Sequence, residues 1–214
     1  MGYLDFVPTN GAANAEGVLQ SRASSFGAWA TERSGGSTPV LNSVYTGEIY
    51  YAVGSTSGVN LFYIQRNFSK IAYSGIPANA TITDVTYNYY CRDGVGATEI
   101  RNRMVLCLGM QSATLVAGDW TGISTEYGRD ASTSWGGNGW ISFSLNAAGK
   151  AAVVNGATVK YCFTTVNDFD NVQPPDNSAC GIVYNGPANS NASIRPYIRV
   201  SYTVPSTSNM LLFF

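Results

Sequence analysis

Histidine is absent from the 214 residues. That excludes Ser–His–Asp triads, imidazole acid–base catalysis and histidine metal ligands. Charge is scarce as well. Asp, Glu, Lys and Arg make up 12% of the chain, about half the share of an ordinary domain. The 12 Lys+Arg nearly cancel the 13 Asp+Glu. No basic surplus exists to neutralise phosphates, so nucleic acid is not an expected partner. No stretch approaches the roughly 18 consecutive apolar residues of a spanning helix, so no membrane span is expected. The start, Met1-Gly2-Tyr3-Leu4-Asp5, lacks the basic and apolar regions of a secretion signal. CxxC pairs, phosphate loops, nucleophile elbows and HExxH are all missing. No cofactor or metal is expected.

What is present is a core-former. The chain is 45% hydrophobic and 13% aromatic, which excludes general disorder. Solubility falls to 22 Ser, 18 Thr, 18 Asn and 14 Tyr. That balance resembles an extracellular or virion β-protein. Without a signal, the expected location is a virion surface, with a processed bacterial cell-surface fragment as the alternative. Cys91, Cys107, Cys162 and Cys180 allow three disulfide pairings, and the missing signal favours free thiols.

From Glu48 onward the apolar residues recur with period two, the pattern of half-buried strands. Eight segments carry it. Their faces begin with Ile49/Tyr51/Val53, Phe62/Ile64/Arg66/Phe68, Val85/Tyr87/Tyr89/Cys91 and Met104/Leu106/Leu108/Met110. Ile141/Phe143/Leu145, Val159/Tyr161/Phe163, Ile182/Tyr184 and Ile198/Val200/Tyr202/Val204 follow. Gly, Asn, Asp and Pro clusters separate most of them, without amphipathic helices between. The expected fold is all-β, an antiparallel jelly-roll-like sandwich of about eight strands. One or two helical turns are expected at 146–155, capped by Asn146 and ended by Gly156. Residues 1–45 read as an arm and lead-in with a short helix near Ala13–Gln20, 46–204 as the sandwich, 111–139 as a long loop, and 205–214 as an apolar tail.

Four segments resemble a known family. Ile64-Gln65-Arg66-Asn67-Phe68 precedes Gly75-Ile76-Pro77-Ala78-Asn79-Ala80-Thr81-Ile82-Thr83-Asp84-Val85-Thr86-Tyr87; Trp140-Ile141-Ser142-Phe143-Ser144-Leu145 follows; Arg195-Pro196-Tyr197-Ile198-Arg199-Val200-Ser201-Tyr202-Thr203 closes. The set is similar to the disaggregatase-related or DNRLRE-type β-sandwich modules and the carbohydrate-binding modules like them. The likeness spans roughly residues 46–203. It implies attachment rather than catalysis, in cell-surface, polysaccharide-degrading or phage structural proteins.

Candidate sites follow from residue chemistry. Trp120, Tyr127, Trp135 and Trp140 cluster in sequence around the long loop, with Asp119, Arg129 and Asp130. Aromatic planes stack on sugar C–H faces, and Arg, Asp and Asn bind hydroxyls. Trp120, Tyr127, Arg129 and Trp135 are therefore the glycan candidates. The same rings would equally cover the sandwich end or an interface. Arg66 shares a face with apolar neighbours and must be paired; Asp84 and Glu48 are the expected partners. Asn167-Asp168-Phe169-Asp170-Asn171 has oxygen ligands at a spacing compatible with Ca²⁺, but reads as a solvated loop. The tail Met210-Leu211-Leu212-Phe213-Phe214 would be an aggregation liability unless it docks on a partner. The expected function is a non-enzymatic phage virion subunit (capsid decoration, head fibre or tail-associated), anchored by its termini to other virion proteins or copies of itself, with weak glycan adhesion. The alternative is a carbohydrate-binding module of a bacterial surface protein.

Overall fold

A computed structural model of the chain describes residues 1–8, 17–20, 29–35, 40–42, 48–49, 52–56, 59–96, 104–109, 115–130, 138–173, 180–186 and 189–205. Trp135 and the tail residues Met210, Leu211, Leu212, Phe213 and Phe214 lie outside them.

The described residues form an antiparallel β-sandwich. Its strands are β1 (Gly2–Phe6), β2 (Gly17–Gln20), β3 (Val40–Asn42), β4 (Glu48–Ile49), β5 (Ala52–Thr56), β6 (Val59–Tyr63) and β7 (Gln65–Ala72). The chain continues through β8 (Thr81–Gly96), β9 (Met104–Gly109), β10 (Ile123–Arg129), β11 (Gly139–Ser144), β12 (Thr158–Thr165), β13 (Cys180–Tyr184) and β14 (Tyr197–Thr203). The first sheet runs β1-β14-β8-β13-β4, with β11 also on β8; the second runs β10-β9-β12-β7-β2-β3. β5 and β6 pair separately.

The 16-residue β8 organises the first sheet. Asn88 lies opposite both Ser142 and Tyr197, and Cys91 opposite both Gly139 and Tyr184. β11 therefore occupies one edge of β8. β14 and then β13 share the other, end to end.

Period two sorts the side chains. Val85, Tyr87, Tyr89 and Cys91 of β8, with Phe6, Phe143, Ile198 and Val200, face inward from the first sheet. They meet Ile71, Met104, Leu106, Val159, Tyr161 and Phe163 of the second. Aromatic edges do much of the packing: Phe163 lies 5.1 Å from the rings of both Tyr87 and Tyr89, a favoured separation for tilted or edge-on rings. Between β11 and β12 the chain makes α2 (Ala147–Ala151), whose Gly149 N–H is capped by Asn146 Oδ1 at 2.9 Å. Gly149 is required there. A Cβ would stand 2.6 Å from Tyr127 O, so α2 lies against β10 only without a side chain. Gly156, at φ +82°, ends the excursion in the left-handed region.

Several expectations are corrected. Residues 1–45 are not merely an arm: β1 pairs with β14 over Gly2–Phe6, and β2 pairs with β7. Phe6 is buried in the core, so burial outweighed a segment whose periodicity was too short to read. Gly17–Gln20, placed in a possible helix, is strand. The 111–139 loop contains a 3₁₀ turn (Ala117–Thr121) and β10. Irregular register between β10 and β9 breaks the alternation that would have revealed that strand.

The second sheet is buried on both faces. Its outward side chains Ile64, Phe68, Val105, Cys107 and Cys162 form a second cluster with Leu19, Trp29, Leu115 and Trp120. α1 (Trp29–Ser34), the 3₁₀ turn and α3 (Val166–Asp170) supply the cover. Cys107 and Cys162 sit opposite each other on β9 and β12, both free and buried; Cys91 is also free. Burial first, and then the Cys107 thiol, push Cys162 well above the ordinary thiol range. Iodoacetamide is expected to leave Cys107 and Cys162 unmodified in the folded chain and to alkylate both in guanidinium. Alkylation at the rate of an exposed thiol in native buffer would mean that the cover opens readily.

The buried phenols predict an alkaline limit. Burial raises Tyr73, Tyr89 and Tyr161 above the ordinary phenol value of about 10. Above that pH the unfolded chain releases protons that the folded chain keeps. Stability is therefore intact below pH ~10 and falls above it, by up to about 1.4 kcal/mol per pH unit for each such tyrosine. The phenolate absorbance contributed by these three tyrosines should appear together with unfolding, not before it.

Candidate functional site

Among the described residues, Trp120, Tyr127 and Arg129 do not assemble into an open sugar site. Trp120 is 1% exposed. Its indole N–H donates to Arg33 O at 2.9 Å, and the Arg66 guanidinium lies 4.2 Å from its ring centre. Both ring faces are thus removed from a ligand. Tyr127 is buried against Tyr161, with ring centres 5.6 Å apart. Arg129 is half-buried and held by Glu126 and by Asp170 at 2.9 Å. Those two carboxylates hold its guanidinium further above its ordinary range. Asp119 Oδ2 accepts from Val116 N–H at 2.8 Å. Asp130 Oδ2 accepts from the Tyr89 hydroxyl at 3.3 Å. The glycan assignments for Trp120 and Tyr127 are therefore withdrawn. A loop rich in aromatics became cover for the second sheet because the apolar outer side of that sheet had to be shielded.

Arg66 is paired, but with neither expected partner. Asp168 receives its guanidinium through two bonds, Nε–H at 2.7 Å and Nη2–H at 2.6 Å. The Trp120 carbonyl accepts from Nη1. Burial opposes the charge on Arg66, and Asp168 outweighs it, leaving the guanidinium above its ordinary value. Asp168 itself is fully buried, and accepts also from the Thr164 hydroxyl at 2.8 Å. Its backbone N–H is capped by Thr165 Oγ1 at 3.2 Å. Residues 167–171 are therefore a capped helical turn inserted under α1, where Arg33 Nε donates to Asp168 O at 2.8 Å. The solvated-loop expectation is overturned. Among the described residues, no group of three or more metal-ligating Cys, Asp or Glu side chains stands together.

The surface with binding chemistry is the outward face of the first sheet. Tyr3 and Asp5 of β1, Tyr197, Arg199 and Ser201 of β14, Asp84, Thr86, Asn88 and Tyr90 of β8, and Trp140, Ser142 and Ser144 of β11 share it by register. Trp140 is 45% exposed and Tyr3 62%. The Trp140 ring meets Tyr90 at 5.7 Å and Tyr197 at 5.3 Å, both edge to face. Trp140 and Tyr197 belong to strands on opposite edges of β8. Their contact bridges the row containing Asn88, which is nearly buried although its face is open. Arg199 lies 4.5 Å from the Tyr3 ring centre and 5.5 Å from that of Tyr197. An aromatic path thus crosses four strands, about 14 Å at the usual strand spacing.

The carboxylates on this face are already engaged. Asp5 accepts from Arg199 Nε at 2.7 Å and Nη2 at 2.8 Å. Asp84 faces Lys150 at 3.0 Å. What is left between the rings is hydroxyl and amide. Sequence reasoning missed the surface because its members come from four distant segments. The available signal was the pairing of large outward aromatics with Ser and Thr in Trp140-Ile141-Ser142-Phe143-Ser144 and Tyr197-Ile198-Arg199-Val200-Ser201.

No protein-family model and no curated protein matches this chain. The DNRLRE-type likeness accordingly rests on its short motifs alone. No helix among the described residues is long and apolar enough to cross a membrane.

Proposed function

We propose that this chain is a non-enzymatic carbohydrate-adhesion module, displayed by a virion or a bacterial surface, that holds glycans on the outward face of its first sheet. The observation that carries this reading is Trp140, a half-exposed indole on a flat sheet among Tyr, Ser, Thr and Asn. Sugars need that mixture: an aromatic plane for the C–H face, with short polar side chains around it for hydroxyls. A composition poor in charge suits adhesion that salt barely screens. Display in many copies would multiply a weak single-site affinity. Four carboxylates among the described residues that could serve a glycosidase are otherwise employed. Asp168 is committed to Arg66, Asp170 and Glu126 to Arg129, and Asp119 to a backbone cap.

Affinity electrophoresis through neutral and acidic polysaccharides, beside a glycan array, tests the reading. Trp140→Ala should weaken retention about 30-fold, the size of a 2 kcal/mol hot spot, with an unchanged circular dichroism spectrum. Retention equal to that of the parent would remove the face from consideration. A dimer that Trp140→Ala dissociates would reassign it as an interface between copies.

A further inference from the structure

The aromatic face ends at a seam. β14 begins at Tyr197 and β13 ends at Tyr184, both on the same edge of β8. Between them Tyr90 bonds through its carbonyl to Asn185 N–H at 3.1 Å. Asn185 is 1% exposed. Its Oδ1 accepts from Asn189 Nδ2 at 3.0 Å, while its own Nδ2 has no acceptor.

Two arginines flank this seam. Arg92 is exposed and follows Tyr90 by two residues on β8, about 7 Å along the strand. Arg195 precedes Tyr197 by two and is held by one bond, Nε to Asn189 O at 2.8 Å. Arg33, Arg66, Arg129 and Arg199 each face a carboxylate. Among the described residues, Arg92 and Arg195 do not. The opposite end of the face is charge-neutral, because Asp5–Arg199 and Asp84–Lys150 are closed pairs. The face is thus polarised: paired charge at one end, and two guanidinia that face no carboxylate among the described residues near the exposed indole at the other. Planar guanidinia match carboxylate oxygens with parallel N–H donors.

We propose that this seam is a carboxylate subsite. Arg92 and Arg195 take the carboxylate of a uronate sugar whose ring stacks on Trp140. This deepens the adhesion reading and rests on it: the ligand class is an acidic, uronate-bearing polysaccharide.

The test uses polygalacturonate and alginate, each beside its fully methyl-esterified form. Esterification removes the charge and keeps the sugar rings. The acidic forms should be retained at least about tenfold more strongly than the esters, equivalent to about 1.4 kcal/mol. Arg92→Gln with Arg195→Gln should erase that difference, and Arg92→Gln alone should reduce it. Lys160→Gln removes one cation from the other sheet and should leave it intact. Equal retention of acid and ester, or retention of a neutral glucan alone, would overturn the carboxylate subsite while leaving adhesion standing. Retention of no polysaccharide at all would overturn both. A tenfold difference lost equally in Lys160→Gln would reduce the effect to net charge and overturn the subsite.

Discussion

Asp168→Asn is expected to lower the melting temperature by about 6–20 °C. The side chain keeps its shape but loses its charge, stranding the Arg66 guanidinium, which is 2% exposed, without its counter-ion. Breaking a buried pair from one side costs about 3–5 kcal/mol. In a chain of this size each kcal/mol moves the midpoint by about 2–4 °C. The carboxylate also accepts from Thr164, and the residue's carbonyl accepts from Arg33. The loss should therefore loosen α1 and α3 together, which hydrogen exchange would register as faster amides in both. Replacing the pair jointly, as Arg66→Met with Asp168→Leu, should recover much of the stability, because an apolar pair of similar volume carries no stranded charge. Scanning calorimetry on the two variants decides it. If the single substitution proved as mild as the double, water would have to reach Arg66, and the cover over the second sheet would be looser than its burial indicates.

The sandwich was legible because its central strands obey one rule. In Val85-Thr86-Tyr87-Asn88-Tyr89-Tyr90-Cys91 the odd positions are core, and β12 repeats the pattern with Val159, Tyr161 and Phe163. The same rule misled where a strand is buried twice. Ile64, Arg66 and Phe68 do share a face, but it lies away from the inter-sheet core, under a cover drawn from residues far apart in sequence. A period-two pattern reports a buried side without reporting what buries it. Arg66 was legible as a paired residue, since a buried guanidinium demands one. Its partner, 102 positions distant, was not. Local hydrophilicity made 167–171 look like solvent-exposed chain, whereas Asp168 is there because Arg66 needs it. The proposed binding face was hidden for a related reason. Tyr3, Tyr90, Trp140 and Tyr197 converge only once β1, β8, β11 and β14 are in register, and register is a property of the folded sheet.

Two tryptophans, opposite in environment, separate folding from adhesion. Trp120→Ala removes an indole that is 1% exposed, its hydrogen bond to Arg33 O and its face on the Arg66 guanidinium. Truncating a buried Trp costs about 3–5 kcal/mol, and the lost cation–π contact with Arg66 adds to it. The variant should melt far below the parent, yet below its own midpoint it should bind polysaccharide with the parent's affinity. The face proposed to hold the ligand lies on the other sheet, with the inter-sheet core between. Trp140→Ala should do the reverse, costing only about 1–2 kcal/mol for its two edge-to-face ring contacts, while weakening retention about 30-fold. Chemical denaturation and affinity electrophoresis on the same two preparations test both halves. If Trp120→Ala lost retention while still folded, the long loop rather than the first sheet would hold the sugar, and the earlier assignment of that loop would return with a mechanism other than stacking on an open ring.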